Sequence, residues 1–103
     1  MAVTPVPGTN TVVPVGGAPI QALPPNINGG IITNPVSAGD QGLGAAEPLY
    51  IDAVGTPGAG DGAGNGTTFV LYPGQTWEAI PGQTTPTLVN ALSSGHKFTA
   101  IYW

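Results

Sequence analysis

Glycine and proline interrupt this chain from end to end, and they constrain its fold more than any other feature. Its 103 residues include 17 Gly and 12 Pro. Glycine frees the backbone, while proline fixes φ and removes a hydrogen-bond donor, so both favour turns over long regular elements. Only residues 37–46 could hold a helical turn or two, with Ser37 as the N-cap and Asp40 three residues later. The chain therefore favours short strands joined by turns.

Charge is sparse in this sequence, whereas apolar residues are not. The net charge is −4, only 6% of the residues are charged, and 41% are hydrophobic. Disordered chains usually combine a high net charge with low hydrophobicity. A chain with the present balance would aggregate unless it buried its apolar side chains. We therefore expect one folded, loop-rich unit.

The same composition excludes several classes of partner. One Lys and no Arg cannot supply the basic surface that binds nucleic acid or anionic lipid. No apolar run approaches the roughly 20 residues that span a bilayer. The absence of Cys excludes a disulfide framework and a thiolate metal site. We expect neither nucleic acid nor a membrane as a partner, and a fold held together by packing alone.

The N-terminal part differs in composition from the rest. Residues 1–39 contain no charged and no aromatic side chain, and six prolines fall within residues 1–30. Proline-rich segments are extended and avoid the centre of a sheet. We therefore predict an extended arm over residues 1–29, either a disordered tail or a segment that orders on a neighbouring subunit. The second alternative would bury apolar side chains that are costly to leave in water. These interface candidates are Val3, Val6, Val12, Val13, Val15 and Ile20.

From residue 30 onward, β-branched and aromatic segments alternate with turn signals. The predicted strands are 30–34, 49–54, 67–72, 76–80, 87–92 and 97–103. This spacing indicates an all-β domain over residues 30–103, a small antiparallel β-sandwich or a jelly-roll-like barrel. Pro73-Gly74-Gln75-Thr76 recurs eight residues later from Pro81, which predicts two type II turns flanking a short meander strand.

The last predicted strand is apolar on both faces. Phe98, Ala100 and Tyr102 share one face, while Ile101 and Trp103 share the other. Strands of this kind need cover on both sides, and partner subunits would supply it. The pattern favours a homo-oligomer, although a well-filled monomeric sandwich remains the alternative.

Candidate catalytic chemistry is scarce. The glycine-rich stretch 58–66 has the wrong spacing for a phosphate loop and too few carboxylates for calcium, so we interpret it as a connecting loop. His96 has no carboxylate near it in sequence, and a lone His without Cys is a poor zinc site. Glu78 lacks the second carboxylate that glycoside hydrolysis needs. We expect no enzyme activity, no cofactor and no bound metal.

The two tryptophans are the remaining candidates for binding. Trp buries a large area and keeps one hydrogen-bond donor, so it is enriched at interfaces. For Trp77, filling the core is at least as good an interpretation. Trp103 lies at the end of the sequence and suits a sheet edge or a subunit contact.

Two parts of the sequence resemble a known family. The first is the segment 29–52, from Gly-Gly-Ile-Ile-Thr-Asn-Pro through Asp52. The second is the C-terminal part, with Pro-Gly-Gln-Thr-Trp-Glu-Ala-Ile-Pro-Gly-Gln-Thr-Thr-Pro (73–86), Val-Asn-Ala (89–91), Ser-Gly-His-Lys-Phe-Thr-Ala (94–100) and the closing Tyr-Trp. Over residues 26–103 the chain resembles the small capsid decoration, or cement, proteins of tailed bacteriophages. The resemblance implies a β-sandwich on the capsid exterior, often trimeric, without enzymatic activity.

The resemblance sets the functional expectation. It implies a structural virion protein, made in the host cytoplasm, that binds the outside of the phage head and stabilises contacts between major capsid subunits. Its expected partners are the major capsid protein and further copies of itself, with a homotrimer favoured. The alternative is a tail- or fibre-associated module that recognises a host surface glycan through Tyr72, Trp77 and Glu78.

Overall fold

The computed structural model describes residues 3–60 and 66–103. Over these residues the chain forms short strands and one helical turn. In chain order they are β1 (Val6–Pro7), β2 (Val12–Val13), β3 (Ile20–Leu23), β4 (Gly30–Thr33), α1 (Ala38–Gln41), β5 (Leu49–Asp52), β6 (Phe69–Leu71), β7 (Thr76–Glu78), β8 (Thr87–Asn90), β9 (His96–Lys97) and β10 (Thr99–Tyr102).

The strands form two four-stranded sheets and a two-stranded ribbon. Sheet I has the order β1-β10-β4-β7, sheet II has the order β3-β8-β5-β6, and β2 pairs with β9. Every ladder is antiparallel. The expected all-β class is therefore confirmed, with a sandwich-like pair of sheets.

The two sheets share one apolar core. Sheet I contributes Ile32 and Ala100, while Leu49, Ile51 and Val89 face them from sheet II. All five are almost fully buried. Burying each of the larger side chains stabilises the fold by about 1.5–3 kcal/mol, and these contacts take the place of the disulfides that the chain lacks.

Residues 3–29 belong to this core and do not stand apart as an arm. β1 pairs with β10, β2 with β9, and β3 with β8. Ala22, Leu23 and Ile27 are buried in the common core. The prolines explain the arrangement, because β1 and β3 are the outer strands of their sheets, where a missing backbone donor is tolerated. Proline content thus predicts the extended geometry but not the ladder partners.

The two Pro-Gly turns are confirmed, but the meander between them is wrong. Gly74 and Gly82 have positive φ angles of 89° and 76°. The N–H groups of Gln75 and Gln83 each donate to the carbonyl three residues earlier, and both N···O distances are 3.0 Å. β7 lies in sheet I, whereas β6 and β8 lie in sheet II. Type II turns splay the strands they join, because their twist opposes that of a hairpin. Each turn therefore carries the chain from one sheet to the other.

Two smaller predictions have opposite outcomes. Ser37 caps α1 as expected, since its Oγ accepts from the Asp40 N–H at 3.1 Å. The predicted strand 97–103 is divided at Phe98, whose N–H donates to the Thr11 carbonyl at 3.0 Å. On one side of this residue β9 pairs with β2, and on the other β10 pairs with β4 and β1.

Candidate functional site

Large apolar side chains remain exposed at eleven positions of the described residues. They are Val3, Val6, Val12, Val15, Val36, Val54, Phe69, Val70, Tyr72, Ile80 and Leu92. Single exposed apolar residues are ordinary on a protein surface, but groups of them mark contacts with other molecules. Two such groups matter below: one at the start of β1 and one along β6.

The predicted interface valines fall into three environments. Val3 and Val6 are exposed at the outer edge of sheet I, and Val12 and Val15 are exposed on and after β2. Val13 is not an interface residue of the folded chain, because it is fully buried in the core and pairs with His96. Alternation explains this correction, since consecutive residues of a strand face opposite sides.

Ile20 and Trp77 are half-buried and pack against the core. Trp77 lies opposite Ile32 in the ladder of sheet I, on the inner face of β7. Both side chains therefore contribute to the packing between the sheets. The core-filling interpretation of Trp77 fits this position.

Trp103 instead lines a groove of about 260 Å³ at one end of sheet I. The walls come from residues 28–31 at the start of β4, from Glu78–Ala79 at the end of β7, and from Pro81. Trp103 is fixed by its backbone, whose N–H donates to the Gly29 carbonyl at 3.0 Å. A Cβ on Gly29 would lie 2.8 Å from the indole, so the ring rests directly on the glycine backbone. The groove thus combines a flat aromatic wall with one carboxylate.

The three residues of the expected glycan site do not share one face. Trp77 and Glu78 are consecutive in β7, so their side chains lie on opposite faces of sheet I. Tyr72 follows β6, which belongs to sheet II. The aromatic residue that lines the groove together with Glu78 is Trp103, and not its sequence neighbour Trp77.

His96 lies in a buried polar cluster that the sequence does not reveal. The Asn34 Nδ2 donates to the Leu71 carbonyl at 2.9 Å and to the Glu47 carbonyl at 3.0 Å. The Asn34 Oδ1 must therefore accept, and it lies 3.0 Å from the Gln41 Nε2 and 2.9 Å from the His96 Nε2. This network assigns the proton of the neutral imidazole to Nε2.

The opposite side of the imidazole is less well satisfied. The His96 Nδ1 and the Glu47 Oε1 are buried without a hydrogen-bond partner in the described part of the chain. The second Glu47 oxygen accepts from the Ser93 hydroxyl at 2.8 Å. Burial lowers the pKa of His96, and the negative charge of Glu47 partly opposes this shift. Ser93 therefore pairs with the carboxylate and His96 with an amide, which is a structural arrangement and not a nucleophile with its base.

Asp52 forms a second buried polar cluster beneath the β5–β6 connection. One carboxylate oxygen accepts from the Val54 and Gly55 N–H groups at 2.8 and 2.7 Å. The other accepts from the Thr67 and Thr68 hydroxyls at 2.7 and 3.1 Å. Burial alone would raise the pKa of Asp52, but these hydrogen bonds outweigh it and lower the pKa to about 2. The carboxylate ties together both ends of the segment that joins the strands.

The predicted glycine-rich loop falls within this segment, and its residues 61–65 lie outside the described residues. Within the described ranges no three His, Cys, Asp or Glu side chains come together as metal ligands. No helix in the same ranges is long and apolar enough to cross a bilayer. Comparison with family models, curated proteins and solved structures gives no match.

Proposed function

We propose that this protein is a structural virion component, a decoration or cement protein that binds the outside of a phage head. The observation that carries the proposal is the surface of the described residues, which exposes eleven large apolar side chains on a chain with 6% charged residues. Such a surface favours contact with other protein chains. The sequence resemblance supplies the identity of the partner, the major capsid protein.

A protein of this kind needs no catalytic residues. Any molecule that binds only the closed arrangement of neighbouring capsid subunits adds its binding free energy to that arrangement. Modest affinity per copy suffices when an oligomer engages several sites at once. A net charge of −4 also keeps the protein from adhering to the packaged genome.

We infer that the capsid contact lies at the end of sheet I where β1 begins. Val6 lies opposite Tyr102 in the ladder and so borders the strand that leads into Trp103, and the exposed Val3 lies three residues before Val6 in the chain. No charged residue belongs to β1 or β10. The two valines are therefore exposed on a strand that carries no charge of its own, and the only carboxylate in the groove next to Trp103 is that of Glu78, on the far edge strand β7.

Particles that lack the protein provide the test. Added wild-type protein should bind in hundreds of copies per head, measured on a stained gel, and should raise the temperature at which the particles release DNA. Val6→Asp should reduce occupancy, because it places a charge in an apolar contact. Val54→Asp is the matched control, since Val54 is exposed in the β5–β6 connection. Equal occupancy for both variants would contradict the proposed contact, and only a few copies per particle would indicate a tail component.

The groove beside Trp103 supports a second candidate function, the recognition of a glycan by a tail- or fibre-associated module. An indole face and a carboxylate suit a sugar ring, which has apolar C–H faces and hydroxyl donors. The site would use Trp103, Glu78 and Asn28 in place of the Tyr72, Trp77 and Glu78 set.

Soluble host-surface oligosaccharides test this candidate directly. Binding should change the tryptophan fluorescence, and Glu78→Gln should weaken the change by roughly tenfold if one charged hydrogen bond is lost. Asp40→Asn, an exposed carboxylate on α1, serves as the control. No fluorescence change with any glycan that the host displays would remove this alternative.

A further inference from the structure

We propose that the free edge of β6 joins two copies of this chain by antiparallel strand pairing across a twofold axis. β6 is the outer strand of sheet II and pairs only with β5. Within residues 3–60 and 66–103, no strand lies along its other side. An unpaired edge is a template for another strand, and native proteins usually protect it.

The other three outer strands of sheets I and II carry such protection. β1 contains Pro7 and follows Pro5, so part of its backbone cannot donate. The ladder of β3 shifts register between Gln21 and Leu23, which twists that edge. β7 carries the exposed carboxylate of Glu78. Proline, a bulge and a charge are the recognised devices against edge-to-edge association.

β6 has none of these devices. Its register with β5 runs without a shift from Leu71 to Phe69, and it contains no proline and no charge. Phe69 is 59% exposed, Val70 is 38% exposed, and the following Tyr72 is 58% exposed. Phe69 and Val70 lie on opposite faces of the strand. The edge is therefore apolar above and below the sheet, and a neighbouring strand would cover both sides.

A second copy of this chain is the occupant that fits best. In a neighbouring copy the other outer strands of sheets I and II are protected, so β6 is the edge of these two sheets that is open to pairing. When residues 69–71 of the two copies pair along their full length, Val70 lies on the twofold axis and Phe69 lies opposite the partner's Leu71. Two chains of net charge −4 repel each other, but residues 67–75 contain no charged side chain. Contact along this edge therefore brings no charged side chains of residues 67–75 together.

The inference concerns the purified protein and does not depend on capsid binding. Pairing through β6 joins sheet II of each copy into one continuous sheet across the axis. The contact is the same surface on both copies, so it closes as a dimer. The trimer expected from the sequence resemblance would have to form through another surface.

A single introduced cysteine tests the geometry, because the chain has none of its own. Val70→Cys would place two thiols at the axis, within the Cα separation of about 4.4–6.8 Å that a disulfide requires. Mild oxidation should then give a covalent species of twice 10.2 kDa on a non-reducing gel. Ile80→Cys is the control, since Ile80 is 71% exposed but lies outside sheet II. Equal cross-linking by the two variants would overturn the proposal.

A charge at the same position tests the association itself. Val70→Lys should raise the dimer dissociation constant by roughly tenfold or more, because two like charges would meet at the axis. Sedimentation velocity should show the shift, with an unchanged circular dichroism spectrum as evidence of folding. Ile80→Lys should leave the dimer intact. A wild-type protein that sediments at 10.2 kDa at every concentration, or a dimer that Val70→Lys does not weaken, would overturn the proposal.

Discussion

The buried polar clusters around Asp52 and His96 both tie separate segments of the chain together, but they differ in how many of their buried polar atoms have hydrogen-bond partners. Asp52 is fully buried, and each of its carboxylate oxygens accepts at least two hydrogen bonds from described residues. His96 is equally buried, but its Nδ1 faces no hydrogen-bond partner in the described residues, and neither does the Glu47 Oε1. Hydrogen bonds thus outweigh burial at Asp52 and favour its charged form, whereas at His96 burial dominates and favours the neutral imidazole.

The clusters also differ in the distance along the chain that they span. Asp52 bonds to groups within 16 residues and closes the connection between two neighbouring strands. The His96 cluster joins residues 62 positions apart. It links β9 to three other segments, which are the end of β4, the helix α1 and the residues before β5. Asn34 is the residue common to most of these bonds. The long-range cluster should therefore matter more for global stability than the local one.

Removing Asn34 should have the largest effect. Asn34→Ala leaves the His96 Nε2 buried without its acceptor and removes the side-chain donor shared by the Leu71 and Glu47 carbonyls. Each unsatisfied buried group costs about 1–3 kcal/mol, so we expect a loss of about 3–4 kcal/mol in the free energy of unfolding. Urea titration followed by circular dichroism would measure it.

The same substitution at an exposed position provides the control. Asn28 is exposed at the mouth of the groove, and Asn28→Ala should cost less than about 1 kcal/mol. A similar loss for both variants would mean that the cluster around His96 contributes little to stability.

This cluster also marks the limit of what the sequence predicts. Proline and glycine positions predict the β-rich segments, the turns at Pro73 and Pro81, and the cap at Ser37, because those features depend on neighbouring residues. Sheet order depends on packing between distant segments, so the inclusion of β3 in sheet II has no local signal. Asn34 and His96 give none either, since an amide and an imidazole far apart in sequence become partners only after folding.

The candidate surfaces were predictable to a similar extent. Sparse charge and abundant apolar residues predict an apolar surface, and the exposure of Val3 and Val6 agrees with it. Which of two neighbouring valines is buried depends on the strand register, so Val13 could not be assigned. The edge of β6 becomes visible only when the four outer strands of sheets I and II are compared, and that comparison requires the sheet order.

Substitution of Asp52 should have an intermediate effect that depends on pH. The folded pKa of about 2 lies below the ordinary value of 3.8, so the carboxylate stabilises the fold above pH 3.8 and loses this contribution as the pH falls towards 2. Asp52→Asn should cost about 2 kcal/mol at neutral pH and much less at pH 2. Urea titrations across this range would measure the difference, with Asp40→Asn as the exposed control. A loss that is the same at pH 7 and pH 2 would show that the carboxylate charge is not the cause.

Substitution of His96 should have the smallest effect on the free energy of unfolding. It also distinguishes the two clusters, because their contributions to stability change over different pH ranges. The pKa of His96 is lowered below 6.5, so the neutral ring stabilises the fold above that pH and the contribution is lost as the pH falls through the folded value. The chain has one His, and Asp52 stays ionised until far lower pH, so a decline in stability between pH 7 and 5 reports on this ring. His96→Gln keeps a donor for the Asn34 Oδ1 and should flatten the decline without a large change at pH 7. Thermal unfolding at both pH values measures it, and a decline that persists in the variant would assign the pH dependence to another group.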